Sequence, residues 1–211
     1  MTKRSRTTIV LTPALFAELD AISRTMAGSA LEVIPLEEMP NTIARVNYLM
    51  GSGYKDSRIR DGVCKIDLSI IQIANRIEAD QVATWPRPEL DFSKITPCDL
   101  YHFALWHEIG HRLHDLDRWV SLCSEPADHN VVRWLNEVRA DRFAWNKVYP
   151  GAAVPRYPGA MRTKRQIDEL MKRMEKLYPP ITRARRPLPT DPFLAVPDRH
   201  VEGQIPWAVA A

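Results

Sequence analysis

The segment 106–115, WHEIGHRLHD, combines histidines and a glutamate at a spacing that can bind a metal ion. His107 and His111 are four residues apart, and four residues of α-helix advance the chain by about 6 Å and rotate it by about 40°. Both imidazoles can therefore reach one point, and neutral imidazoles are ordinary ligands of Zn²⁺. Glu108 is rotated by about 100° from His107, so its carboxylate can reach a water beside the metal. The spacing predicts two zinc ligands and a general base.

A catalytic zinc ion needs a third protein ligand and one open position, and the segment 136–144, NEVRADRFA, offers that ligand. Glu137 and Asp141 are also four residues apart in a predicted helix. Glu137 can bind the metal, and Asp141, one turn later, can accept a hydrogen bond from the remote nitrogen of a ligating histidine. Alone, such an acidic pair favours a solvated helix face. Together with His107 and His111 it favours a metal site.

A surface helix rich in His and Glu by accident is the alternative interpretation of the HExxH segment. It is weakened because His107 and His111 share one helix face with apolar residues, where unpaired histidines would be costly to bury. The apolar residues of that face are Leu100, Phe103 and Ala104.

Three further residues could take part in the site. His114 lies on the same face, but its Cα is about 10 Å along the helix axis from that of His107, so we assign it to packing or to outer contacts. His129 or Tyr149 could polarise a substrate carbonyl, although an ordinary loop histidine and a packing tyrosine are favoured.

The two segments together resemble the ImmA/IrrE-type zinc metallopeptidases, a gluzincin family. The similarity lies in HEIGHRLHD at 107–115, EVRADRFAW at 137–145 and the closing Pro150, and it covers roughly residues 95–155. The family pattern is HE(L/I)GH, then E-x-E-A-(N/D)-x-F-A and a proline. Arg139 departs from it, since the family usually has a second glutamate there, but that position is not a ligand.

The resemblance implies that His107, His111 and Glu137 bind zinc and that Glu108 is the catalytic glutamate. It also implies a protein substrate, typically a helix-turn-helix transcriptional repressor. Because no DNA-reading helix is evident in residues 1–150, the repressor would be a separate polypeptide. Any contact with nucleic acid would then be indirect.

We therefore predict an α+β, zincin-like metallopeptidase domain, mostly helical with a small sheet, that hydrolyses peptide bonds with zinc. The active-site helix is expected over 97–114 and the ligand helix over about 131–148. Two alternatives stay open: a non-catalytic zinc-binding regulatory protein, and a nucleic-acid-associated metalloprotease. Glu108 favours an enzyme over the first, because a structural zinc site does not need it.

The N-terminal half carries weaker signals. TTIVL at 7–11 predicts a strand, and Thr12 with a following proline predicts the start of a helix that ends at Gly28. A short helix is expected over 41–50, a loop over 51–62, and a strand over 63–68. Isoleucine spacing then predicts a further helix, from Ile70, Ile73, Ala74 and Ile77. WPRPEL interrupts any regular element.

The C-terminal part is expected as an extension, with a domain boundary between 1–155 and 156–211. Residues 151–186 carry ten Lys and Arg against three Asp and Glu, a balance of +7 in a chain of net charge +3. A helix is predicted over 163–178, followed by a Pro-rich tail. Its basic residues are a candidate docking surface: Lys164, Arg165, Lys172, Arg173 and Lys176. Packing of its Ile167–Leu170–Met174 face, with the charges in solvent, is the favoured alternative.

The expected location is the cytoplasm, with no membrane span. The N-terminus lacks the apolar core of a secretory signal, and no window approaches about 18 apolar residues. The three cysteines are widely spaced, odd in number and form no CxxC, as suits a reducing compartment. Cys64, Cys98 and Cys123 are expected to pack as small hydrophobic residues.

Overall fold

The computed structural model describes residues 7–39, 41–48, 69–114, 126–157 and 160–177. Within these ranges helices predominate and two small sheets complete a mixed α+β fold, so the predicted α+β class is confirmed. The predicted loop over 51–62, strand over 63–68 and Pro-rich tail lie outside the described residues. No described helix has the length and apolar character that a membrane span needs.

The N-terminal strand and helix follow their local signals. Strand β1 spans Thr8–Val10 and helix α1 spans Pro13–Ala27. The hydroxyl of Thr12 accepts a hydrogen bond from the backbone N–H of Leu15 at 3.2 Å and so caps the helix. Gly28 ends it with a φ of 65°, in the left-handed region that favours glycine. These predictions are confirmed.

Four further strands complete the two sheets: β2 Ala30–Ile34, β3 Ala44–Tyr48, β4 Ser69–Ala74 and β5 Arg76–Glu78. The larger sheet has the order β2-β4-β3, with β4 parallel to β2 and antiparallel to β3. The smaller sheet pairs β1 with β5. Among the described strands, β3 is therefore an edge strand of the larger sheet.

The helices predicted over 41–50 and from Ile70 are wrong, because both segments form strands. Strand β4 lies between two neighbours, and residues 70–73 are buried on both faces, so its apolar run does not alternate. The spacing of Ile43 and Val46 imitates a helix. Pairing of β3 with β4, remote in sequence, decides the conformation instead. A short helix, α2, at Ala79–Val82 follows β5.

The two motif-bearing helices pack directly on each other. A 3₁₀ turn at Pro97–Asp99 leads into α3, Leu100–His114, and α4 spans Pro126–Val148, beginning five residues before the predicted start. Gly110 permits their close approach, because a Cβ there would lie 3.0 Å from Cδ1 of Phe143. The hydroxyl of buried Tyr101 donates to the carbonyl of Ala74 at 3.1 Å, which ties α3 to the sheet.

The C-terminal helix α5, Ala160–Leu177, begins three residues before the predicted start and packs on α4. Its buried Ile167 and Met171 form a cluster with three residues of α4: Val132, Leu135 and Val138. Asp168 accepts a hydrogen bond from Arg142 at 2.8 Å. The apolar face is thus engaged within the chain, apart from Met174, whose side chain lies outside the described residues.

The described basic side chains of α5 lie outside this contact. Side chains of Arg165, Lys172, Arg173 and Lys176 are exposed, and that of Lys164 lies outside the described residues. Arg165 pairs with Glu169 one turn later at 2.8 Å. A docking role for this surface stays a prediction.

Replacing Ile167 by Ala is expected to lower the free energy of unfolding by about 2–5 kcal/mol, because the cavity would open in a fully buried cluster. Chemical denaturation measures this change. Lys172→Ala, on the exposed side of the same helix, is the matched control and should stay within about 0.5 kcal/mol of the unmodified protein. Equal stability of both variants would contradict the packing role of α5.

Candidate metal centre

Helices α3 and α4 bring the three predicted ligands to one point. His107 Nε2 lies 3.1 Å from His111 Nε2 and 3.3 Å from Glu137 Oε2. His111 Nε2 lies 3.4 Å from Glu137 Oε1. A tetrahedral ion with ligand bonds of about 2.0–2.1 Å separates its ligand atoms by about 3.3 Å. The two distances to Glu137 end on different oxygens, and one ligand atom from each of the three residues lies within 4.8 Å of the others, so the three side chains could hold one ion.

Asp141 holds the ring of His107 from the far side. Its Oδ1 lies 2.9 Å from Nδ1 of His107, and its side chain is buried. When Nδ1 carries the hydrogen and donates it to Asp141, the lone pair of Nε2 points towards His111 and Glu137. The carboxylate thus selects the tautomer that can bind a metal, as the sequence predicts for this position.

Arg87 joins the same cluster, and sequence reasoning missed it. Its guanidinium donates to Asp141 through Nε at 3.0 Å and Nη2 at 2.6 Å, and to Glu137 Oε2 through Nη2 at 2.9 Å. It comes from the WPRPEL segment, 50 residues before Glu137. The available signal was an arginine held between two prolines, in a segment too restricted to be an ordinary solvated loop.

Hydrogen bonds and neighbouring charges shift the pKa values of this cluster against the effect of burial. Burial disfavours a charged His107, but hydrogen bonds with Asp141 and Glu137 outweigh it and raise the pKa of His107 to about 9. Burial opposes ionisation of Glu137 as well, yet its bonds with His107 and His111 hold its pKa well below the usual range. The pKa of Asp141 is lowered in the same way, against burial, by His107 and Arg87. A metal and a proton therefore compete for His107.

The candidate ligands line a cleft of about 290 Å³. One wall is formed by residues 41–45, which lead into and begin edge strand β3, and the opposite wall by α3. Glu108 lines the same cleft and is largely buried, at 8% exposure. A peptide in this cleft would therefore meet the metal-binding group and the Glu108 carboxylate together.

The other candidate residues lie elsewhere. The hydroxyl of Tyr149 donates to Asp99 at 2.8 Å and accepts from the backbone N–H of Thr96 at 3.0 Å, so it serves the start of α3. His129 falls within α4, about 12 Å along the axis from Glu137, and does not line the cleft. His114 ends α3, and its side chain lies outside the described residues.

The prediction that the cysteines pack as small hydrophobic residues is wrong for Cys98, which is an exposed free thiol. It lies in the 3₁₀ turn before α3, where its Sγ is 3.0 Å from the hydroxyl of Thr96. A side chain in the turn at the entrance of a helix is less covered by neighbouring residues than one on a packed helix face. Cys64 and Cys123 lie outside the described residues.

Replacing Asp141 by Ala is expected to weaken zinc binding about 10–100-fold, because His107 loses the partner that fixes its tautomer and ring direction. Asp141→Asn keeps an oxygen acceptor and should lose less affinity. Competition with a chromophoric chelator measures both values. If Asp141→Ala binds zinc as tightly as the unmodified protein, the proposed support of His107 is wrong.

Neither protein-family models nor curated proteins nor solved structures contain a match to this chain.

Proposed function

We propose that the protein is a zinc-dependent endopeptidase with a zincin-like active site. The observation that carries the proposal is the spacing of the ligand atoms of His107, His111 and Glu137, which lie within 4.8 Å of one another beside Glu108. A purely structural zinc site has four protein ligands, whereas the described residues supply three, and these line a cleft. The resemblance of its two motifs to ImmA/IrrE-type peptidases points to the same chemistry.

The ligand set fits zinc in both chemistry and geometry. Two imidazole nitrogens and one carboxylate oxygen are a combination found in catalytic zinc sites, where water or substrate takes the fourth position. Zinc held there would supply Lewis-acid chemistry, by polarising the scissile carbonyl and acidifying the attacking water.

The residues of the chain handle the proton and the positioning. Glu108 accepts a proton from the water as its oxygen attacks the carbonyl carbon, and delivers it to the nitrogen when the C–N bond breaks. Asp141 keeps the ring of His107 in its ligand orientation, with the hydrogen bond that joins them at 2.9 Å. Glu108 is buried and lines the same cleft, so its carboxylate is largely shielded from bulk solvent.

The substrate we propose is an extended segment of another protein. Residues 41–45 border the cleft, and β3 lies at the edge of the larger sheet among the described strands, where its outer backbone groups could pair with a peptide. Selection of a helix-turn-helix repressor as that protein rests on the family resemblance alone. We place the activity in the cytoplasm, where an exposed thiol such as Cys98 stays reduced.

Removal of zinc with a chelator should abolish hydrolysis of an unfolded protein substrate, and stoichiometric Zn²⁺ should restore it. Mass spectrometry of the products identifies internal cleavage. The matched control is the Glu108→Gln protein, carried through the same depletion and reloading to exclude a contaminating protease. Hydrolysis that survives complete zinc depletion, or that Glu108→Gln retains in full, would contradict the proposal.

A further inference from the structure

Arg87 presents a positive charge to the group that would hold a metal cation. Its Nη2 atom lies 2.9 Å from Glu137 Oε2, 2.6 Å from Asp141 Oδ1 and 3.5 Å from His107 Nδ1. The arginine and the metal therefore share Glu137 directly, and they share Asp141 through His107. Like charges that use the same carboxylates oppose each other.

The surrounding structure holds Arg87 in this place. Pro86 and Pro88 flank it and fix the φ angles on both sides. The guanidinium carbon lies 5.4 Å from the centre of the Phe92 ring. Withdrawal of Arg87 from the site would have to disturb these contacts.

Glu89, the residue after Pro88, also anchors the WPRPEL segment. Glu89 is 1% exposed and pairs with two arginines: Arg142 at 2.8 Å and Arg156. Breaking a buried pair of this kind leaves an uncompensated charge. The charge of Arg87 therefore stays beside the site whatever the site binds.

We propose that Arg87 is a built-in counter-cation that weakens metal binding, so that the site exchanges zinc with its surroundings instead of holding it permanently. The inference rests on the proposed function, because it takes His107, His111 and Glu137 as the zinc site. Arg87 would then control zinc occupancy. The weakened site binds zinc when the free zinc concentration is high and releases it when that concentration falls.

Two opposing effects decide the sign of an Arg87 substitution. Loss of a residue that orients ligands lowers zinc affinity about 10–100-fold. A zinc ion and the Arg87 guanidinium on either side of one carboxylate oxygen would lie roughly 5 Å apart. At an effective dielectric constant of about 20, their repulsion lowers the zinc affinity by more than several factors of ten. Repulsion is the larger effect, so removal of the positive charge strengthens binding overall.

The test is the zinc affinity of Arg87→Gln and Arg87→Lys, measured by competition with a chromophoric chelator near neutral pH. Arg87→Gln should bind zinc about tenfold more tightly or better, because the charge is gone while its amide can still bond to Asp141. Arg87→Lys keeps the charge and should stay within about threefold of the unmodified protein. Arg165→Gln removes an exposed arginine that pairs with Glu169 on α5, away from the ligands, and should leave the zinc affinity unchanged.

A second pair of variants covers a failure of Arg87→Gln to fold, which circular dichroism would reveal. The double variant Arg87→Gln/Asp141→Asn removes one charge of each sign and should bind zinc more tightly than Asp141→Asn alone. Equal or weaker binding in Arg87→Gln, or in the double variant against its parent, would overturn the role of Arg87 while leaving the zinc site standing. An unmodified protein that binds no zinc would overturn the proposed function as well.

Discussion

Glu108→Gln is expected to bind zinc as the unmodified protein does and to hydrolyse peptide bonds about 10²–10⁴-fold more slowly. The amide fills nearly the same volume as the carboxylate, so the buried side of α3 should keep its packing. It cannot accept the proton of the attacking water at neutral pH. Steady-state hydrolysis and zinc content, measured on the same sample, separate chemistry from folding.

A matched control comes from α1. Glu18 is an exposed carboxylate that lies 3.0 Å from His102, outside the cleft, and Glu18→Gln should retain full activity. Full activity in Glu108→Gln would exclude Glu108 as the base. Loss of zinc or of folded structure in that variant would instead indicate that Glu108 has a structural role.

Glu137→Ala is expected to lower zinc affinity about 10²-fold or more, the second large effect. Removal of one of three protein ligands forfeits about a third of a binding free energy that reaches roughly 10–16 kcal/mol in structural zinc sites. The variant also leaves Arg87 without one of its two carboxylate partners, so its thermal stability should be recorded with its affinity.

Glu169→Ala serves as the control for this change, because Glu169 is an exposed carboxylate on α5 whose partner is Arg165. It should bind zinc normally. A Glu137→Ala protein with full zinc occupancy would show that another residue completes the site, and His114 or His129 would then be examined in its place.

Local periodicity was enough to predict the residues of the cluster that come from helices. Two pairs, His107 with His111 and Glu137 with Asp141, are each four residues apart, and that spacing places both members of a pair on one helix face. The approach of the two helices, which brings the pairs together, depends on contacts such as Gly110 against Phe143. The residue spacing within either helix does not predict this approach.

Neither the strands of the larger sheet nor the position of Arg87 could be predicted from local sequence patterns, and the reason is the same for both. Strand β4 pairs with two neighbouring strands. One of them is β2, where Ala30 pairs with Ile70, 40 residues later in the chain. Arg87 reaches its partner Asp141 across 54 residues of chain. Its segment has no periodicity that predicts a direction for the side chain. Interactions between segments remote in sequence determine both the strand pairing and the position of Arg87. Local patterns in a single sequence do not reveal such interactions.

X-ray absorption spectroscopy at the zinc edge of the unmodified protein, supplied with one equivalent of Zn²⁺, tests directly whether His107, His111 and Glu137 bind the ion. We expect one zinc per chain with nitrogen and oxygen neighbours only, at about 2.0–2.1 Å, including two imidazoles. The spectrum should be the same for Glu108→Gln and should change for Glu137→Ala. A protein without zinc, or a zinc ion with sulfur neighbours at about 2.3 Å, would contradict a site built from His107, His111 and Glu137.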